Sequence, residues 1–200
     1  MKRSFDLLIC VLFSPLFAIL IVLISLALWF HIEGSVFFTQ KRIGLKGKTF
    51  TLYKFRTMNN KSLDGNLLPD EDRIFPLGNF LRTTSLDELP SIINILKGEM
   101  SWVGPRPLPE KYRHRYTQEQ FRRHETLPGV TGLAQVSGRN AISWNDKFLL
   151  DVYYVDHHSF LFDLKILFKT VSVVLKRKNI SASNHATMPE FMGGDSNEKQ

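Results

Sequence analysis

An acidic pair, Asp87-Glu88, stands between two arginines, Arg82 and Arg106, in the stretch RTTSLDELPSIINILKGEMSWVGPRP. Ser85 and Glu88 have the S-x-x-E spacing of a capping box, which predicts a helix starting here. Ile92, Ile93 and Leu96 give that helix an apolar face, and Gly98 stops it. Asp87 then falls in the first turn, where the positive end of the helix dipole favours an ionised carboxylate. Pro90 removes one amide donor and tightens or bends that turn. Further on, Gly104-Pro105-Arg106-Pro107 pins an arginine between two prolines of fixed φ. A guanidinium so held suits a forked grip on phosphate oxygens. Each part has a plainer use: acids in a first turn complement the dipole, and Pro-x-Pro stiffens loops. Together, in a basic chain and behind an apolar segment, they point to a site for an anionic substrate.

The elements that would hold such a site begin with that apolar segment. Leu7 to Phe30 carries no charge and exceeds the ~20 residues a spanning helix needs. It is also longer than the apolar region of a signal peptide, about 7–15 residues. Lys2 and Arg3 precede it, Lys41, Arg42, Lys46 and Lys48 follow it, and no acid lies between Gly34 and Arg56. Positive charge on both flanks asks for both ends to be cytoplasmic. A helix bent at Ser14-Pro15 satisfies this and a straight span does not. Pro15 frees a carbonyl four residues back, which the Ser14 hydroxyl can serve. Proline is tolerated in true spans too, so physics alone leaves both topologies open.

The 200 residues amount to one ordinary domain plus extras, with a net charge of +7 and a pI near 9.6. That balance favours a polyanionic partner: nucleic acid, anionic lipid or a nucleotide-sugar pyrophosphate. The single cysteine, Cys10, excludes a disulfide framework and a cysteine-based zinc site. Ser35–Gln40 and Thr49–Phe55 read as a hairpin with a basic, glycine-bearing turn. Lys54 and Arg56 share a face at its end, either solvated or turned to headgroups or substrate phosphate. Residues 59–73 form a polar excursion, and a short helix over 77–82 leads into the central stretch. Short helical pieces follow over 108–124, with a second capping box at Thr117-x-x-Gln120. Tyr112, Tyr116 and Phe121 are packing residues there, and His114 and His124 are surface residues. In LPGVTGLAQVSGRN, residues 127–140, the glycines would allow close backbone approach to a ligand. Arg139 and Asn140 offer a fork and an amide for phosphate or a uracil edge. A helix over 144–154 carries Asp151. Ser159 caps the last helix, whose stripe of Leu161, Leu164, Phe168, Val171 and Leu175 suits a membrane interface or a core. Residues 179–200 have the composition of a disordered tail.

The strings SLDELP, LKGEMSWVGPRPL and PGVTGLAQVSGRN, in this order, resemble the bacterial sugar transferase family, and within it the small monotopic phosphoglycosyl transferases. The likeness runs from about residue 1 to about residue 180. It implies an α+β fold, mainly helical, with a re-entrant membrane helix over 1–33 broken at Ser14-Pro15, a small β-hairpin and amphipathic interfacial helices. Residues 34–178 would form the transferase domain, on the cytoplasmic face of a bacterial inner membrane. The implied reaction moves a sugar 1-phosphate, with an N-acetylated hexose favoured and another hexose left open, from a UDP-sugar to undecaprenyl phosphate and releases UMP. It would open the assembly of a glycan that further glycosyltransferases extend, and it leaves no role for nucleic acid. Asp87 would be the nucleophile and Glu88 the ligand of Mg²⁺. Lys54, Arg82 and Arg106 would hold phosphate, and Asp163 would lie in the active site near the arginines. Leu133 stands where many relatives carry tryptophan after the Thr-Gly pair, which puts sugar or base contacts there in doubt. Two rival classes remain open on the residues: a Mg²⁺-dependent hydrolase using the same carboxylates on water, and a non-enzymatic adaptor for anionic lipid.

Overall fold

The computed structural model describes residues 1–63, 66–138, 141–176 and 189–193. Arg139 and Asn140 lie outside the described residues. Two helices open the chain, α1 (Lys2–Leu12) and α2 (Ser14–Trp29), bent by 61° at the break between them. The bend has the cause the sequence offers. Pro15 lacks the amide that would serve the Val11 carbonyl, and the Ser14 hydroxyl donates to that oxygen at 2.8 Å. No single described helix is long and apolar enough to cross a membrane, although the bent pair together passes by length and composition. At 16 residues, α2 is ~24 Å long, short of the ~30 Å hydrocarbon core.

The hairpin forms from β1 (Phe37–Ile43) and β2 (Thr49–Phe55), with Phe37 opposite Phe55 and Ile43 opposite Thr49. Lys41 and Arg42 belong to the ladder, and the turn is a 3₁₀ turn at Leu45–Gly47 with Lys46 at φ 53°. The polar excursion contains β3 (Ser62–Leu63), β4 (Asn66–Leu67) and α3 (Asp70–Arg73), and α4 (Pro76–Thr84) follows.

The expected capping box at Ser85 does not form. Ser85 sits in the left-handed region at φ 60° and ends α4, and its side chain caps nothing. Leu86–Ser91 is a 3₁₀ turn, and only from Ile92 does α5 (Ile92–Lys97) run as α-helix. Pro90 is the reason. In an α-helix begun at Ser85, its ring would meet the Leu86 carbonyl and its missing amide would leave that oxygen unserved. Asn94 on α5 then ties this unit to β2: its side chain accepts from the Tyr53 amide at 3.2 Å and donates to the Thr51 carbonyl at 2.7 Å. Ile92, Ile95 and Met100 pack on Phe50 and Leu52 of the hairpin, so the turn bearing Asp87 and Glu88 lies over the end of β2.

A parallel pair absent from the sequence reading, β5 (Ser101–Val103) with β6 (Gly129–Thr131), joins two distant loops. Between β5 and β6 lies α6 (Gln118–Phe121), whose Thr117-Gln120 capping box is complete. The pair corrects the reading of the glycines. A Cβ at Gly129 would stand 2.1 Å from the Gly104 nitrogen, and one at Gly132 would stand 2.1 Å from the Gly104 oxygen. These glycines admit another strand's backbone, not a ligand. Gly129→Ala is expected to destabilise the fold by about 3 kcal/mol, read as a lowered denaturation midpoint. An unchanged midpoint would contradict this strand contact.

After β6 come α7 (Leu133–Ser137), α8 (Trp144–His157) and α9 (Phe160–Lys176). The inner face of α9 carries Asp163 and Ile166, while Leu161, Phe168, Val171 and Leu175 of the apolar stripe face outward, each more than half exposed. His124 is not a surface residue: it is buried beside Tyr116 and Phe121, and burial lowers its pKa to about 3. The expectation of a disordered tail fails for Pro189–Gly193, which pack on the domain with Phe191 fully buried. The fold is thus α+β and mainly helical, with a small antiparallel hairpin.

Candidate active site

Lys54, near the end of β2, reaches both acids of the 3₁₀ turn. Its Nζ lies 2.5 Å from Glu88 Oε1 and 3.9 Å from Asp87 Oδ2. Arg106 Nη2 donates to the same Glu88 oxygen at 2.7 Å. Adjacent residues on a turn usually point apart, yet here one lysine spans both carboxylates, because β2 runs directly beneath the turn. Arg82, on the last turn of α4, lines the same cavity, where its charge favours ionised Asp87, and it makes no ion pair within 4 Å among the described residues. All five side chains line one cavity of about 1000 Å³. The structure therefore brings together Asp87, Glu88, Lys54, Arg82 and Arg106.

The two acids titrate in opposite directions. Burial pushes the Asp87 carboxyl up, against the pull of Lys54. Burial also acts on Glu88, but Arg106 and Lys54 overcome it and hold that carboxyl far below the usual carboxylate range. Burial lowers Lys54 despite its partners, and lowers Arg82 as well. Glu88 in turn raises Arg106. Glu88 is thus a fixed anion locked into a cation pair. Asp87 is the less stabilised and less hydrogen-bonded of the two. Such an asymmetry suits one carboxylate that reacts and one that organises.

Asp163 is not brought to this group. It lies buried on α9 with Lys2 Nζ at 2.5 Å and the Tyr154 hydroxyl at 2.6 Å, and it does not line the cavity. The physical reason is its face: the inner side of α9 meets the start of α1, where Lys2 supplies the charge. Ser14 and Pro15 sit in the helix break, outside the cavity.

Several residues in this region were not singled out as site residues by the sequence. Arg123 and Asp151 form a fully buried ion pair on the cavity wall, at 2.6 Å, and Arg123 also donates to the Arg106 carbonyl at 2.7 Å. Arg42 donates to the Pro107 carbonyl at 2.9 Å and braces the Pro-Arg-Pro stretch from the hairpin; burial and Arg106 lower its pKa to about 10. Lys147 also lines the cavity, with its pKa lowered by burial to about 8. Only the charges themselves were visible in sequence; their pairing spans 17 to 65 positions.

The acidic pair held by Lys54 and Arg106 lines a charged cavity that suits an anionic substrate, in a domain that carries a bent apolar helix pair. The chain belongs to the bacterial sugar transferase family, whose profile matches residues 1–177. It is 50% identical over 194 residues to an uncharacterised sugar transferase EpsL of Bacillus subtilis, covering 96% of each chain. It is 40% identical to the UDP-galactose-lipid carrier transferase of Erwinia amylovora and 36% identical to the undecaprenyl-phosphate galactose phosphotransferase of Salmonella typhimurium. Each of these alignments covers 88% of this chain but 41% of the longer relative.

Proposed function

We propose that this protein transfers a hexose 1-phosphate from a UDP-sugar to undecaprenyl phosphate at a membrane surface, and that Asp87 carries the phosphosugar between them. The observation that carries the proposal is the shared lysine: both acids lie against Lys54, while Arg106 takes Glu88 and Arg82 lines the same cavity. An oxygen of Asp87 attacks the β-phosphorus of the donor. The bond from that phosphorus to the bridging oxygen breaks, and UMP leaves with the electron pair. An oxygen of the lipid phosphate then attacks the same phosphorus and the bond to Asp87 breaks, restoring the carboxylate. Neither step needs a general base, because both nucleophiles are anions. Lys54, Arg82 and Arg106 balance the phosphate charge that shifts during each displacement.

Mg²⁺ fits this donor set. No group of three or more ligating side chains exists among the described residues, but Mg²⁺ takes one or two carboxylates and completes its shell with phosphate and water. Both cations sit on Glu88 Oε1, so Oε2 and Asp87 are the oxygens that would hold it. When bound, it would neutralise pyrophosphate charge and ease the departure of UMP.

Support for a membrane-seated, re-entrant anchor comes from both ends of the helix pair. Lys2 bonds Asp163 and the Val103 carbonyl, while Asp6 accepts from Ser101 and the Trp102 amide. At the other end Leu28 is fully buried against Phe55 and Leu81. Both ends are therefore fixed to the same domain, and exposed apolar residues from Leu8 to Leu26 lie between them. With the outward stripe of α9 they would meet lipid. A Ser4→Cys variant in a Cys10→Ser background is expected to resist an impermeant thiol reagent in intact cells. Labelling there would mean that the N-terminus is on the far side.

Relatives whose names give a sugar name galactose or glucose, so an unmodified hexose stands beside the N-acetylated one. The deciding assay incubates purified protein with Mg²⁺, undecaprenyl phosphate and each of UDP-galactose, UDP-glucose, UDP-GlcNAc and UDP-GalNAc. A lipid-linked diphosphate sugar and UMP are expected from at least one donor. Free sugar phosphate without acceptor would favour a hydrolase instead.

A further inference from the structure

Resting on the transferase reading, we infer that Phe191 is a positioning residue, and that Pro189–Gly193 act as a strap holding the cavity wall that carries Arg106. This segment lies beyond the family match, which ends at residue 177. Its docking is dense for five residues. Phe191 is 1% exposed and meets four aromatic rings, with centroids at 4.9 Å to Phe148, 5.5 Å to Trp144, and 5.7 Å to both Tyr112 and Tyr116. The backbone is held as well. The Trp144 indole donates to the Pro189 carbonyl at 3.1 Å, the Phe191 amide donates to the Tyr112 hydroxyl at 3.3 Å, and Arg115 donates to the Phe191 carbonyl at 2.5 Å. Glu190 adds ion pairs to Lys111 and Arg115; these are exposed and contribute little. The aromatic ring is the anchor.

Three of the four rings that grip Phe191 also form a wall of the active-site cavity. Tyr112, Trp144 and Phe148 line it. Tyr116 and Phe148 both lie against the Arg123 guanidinium, at 5.9 and 5.5 Å. Arg123 is fully buried, paired with Asp151, and donates to the Arg106 carbonyl. The contacts thus run from Phe191 through two rings to Arg123, and from Arg123 to the backbone of the residue that binds Glu88. Packed cores do not yield smoothly when an anchor is removed. Without Phe191 the rings have a void of a phenyl group to fill, and the seat of Arg123 and Arg106 becomes one arrangement among several. A site that is competent only part of the time binds its ligand in proportion to that fraction. The loss therefore falls on donor KM, with kcat at saturation nearly kept.

The test compares the full chain, a chain lacking residues 189–200, and full-length Phe191→Leu, all in the same membrane mimetic. UMP release gives kcat and donor KM, and hydrogen exchange is followed over residues 104–124. Truncation is expected to raise KM about tenfold with kcat within about twofold, to speed exchange over 104–124, and to be reversed by a peptide of residues 187–195 supplied in trans. Phe191→Leu is expected to raise KM less, in the same direction. Unchanged KM and exchange in both variants would overturn the strap. So would a fall in kcat at constant KM, which marks a merely structural loss. If truncation prevents folding, Phe191→Leu decides by the same criteria. Wild-type protein without UMP release would sink the transferase reading, and exchange over 104–124 with peptide rescue would still decide the strap.

Discussion

Asp87→Asn is expected to abolish turnover, by on the order of 10⁴-fold or more, while UDP-sugar still binds. The amide keeps the shape of the side chain and removes the one atom asked to bond phosphorus. The substitution also makes a stability prediction of definite sign. The Asp87 carboxyl is raised by burial, so its ionised form is less favourable in the folded chain than in the unfolded one. At pH 7 the wild-type protein carries that penalty and the asparagine variant does not. The variant is therefore expected to have the higher denaturation midpoint at pH 7, with the gap closing as pH falls and wild-type Asp87 takes up its proton. Wild-type activity should show an acid limb lying above the ordinary aspartate pKa of ~3.9. A less stable Asp87→Asn at pH 7 would contradict the direction of the shift.

Glu88→Gln is expected to lower turnover by about 10²–10³-fold, with the opposite effect on stability. Glu88 has its pKa depressed by Arg106 and Lys54 against burial. A depressed carboxylate stabilises the fold at every pH above its unfolded value of ~4.3, and that stabilisation is lost as pH falls through the folded value. The glutamine variant should thus be less stable at pH 7 and converge with wild type only in strong acid. Its side chain cannot hold Lys54 and Arg106 by charge, and it offers a weaker oxygen to Mg²⁺. Activity should accordingly vanish in EDTA for wild type, and excess Mg²⁺ should restore only part of the variant's loss. Two adjacent acids with opposite stability signs would be hard to explain if they served only a helix dipole.

Much of this was legible because it rests on local chemistry. Ser14-Pro15 announces a break with its own replacement hydrogen bond, and the hydroxyl serves the very carbonyl that proline leaves. Asp87, Glu88, Arg82 and Arg106 stood out as charges beside prolines and helix ends, Lys54 took its substrate role from the family resemblance, and the fold gathers all five into one cavity. What failed was decided at a distance or by competition. The capping-box pattern at Ser85 lost to Pro90, which makes the turn 3₁₀. The glycines of 127–140 read as ligand-facing because nothing local shows a three-residue strand pairing across 28 positions. Asp163 and Phe191 took their environments from Lys2 and from the rings of Tyr112, Tyr116, Trp144 and Phe148, which no spacing rule connects, and His124 was buried by packing against Tyr116 and Phe121.

The central claim is that Asp87 forms a covalent phosphosugar, and the most direct measurement is rapid-quench UMP release before any lipid acceptor is added. The protein is mixed with Mg²⁺ and a turnover-competent UDP-sugar labelled in its β-phosphate. A burst of UMP stoichiometric with enzyme is expected, with label retained on the protein, located on Asp87 by mass spectrometry and discharged when undecaprenyl phosphate is supplied. No burst without acceptor, together with steady-state kinetics that require a ternary complex, would contradict the account and leave Asp87 as a residue that positions the two substrates for direct transfer.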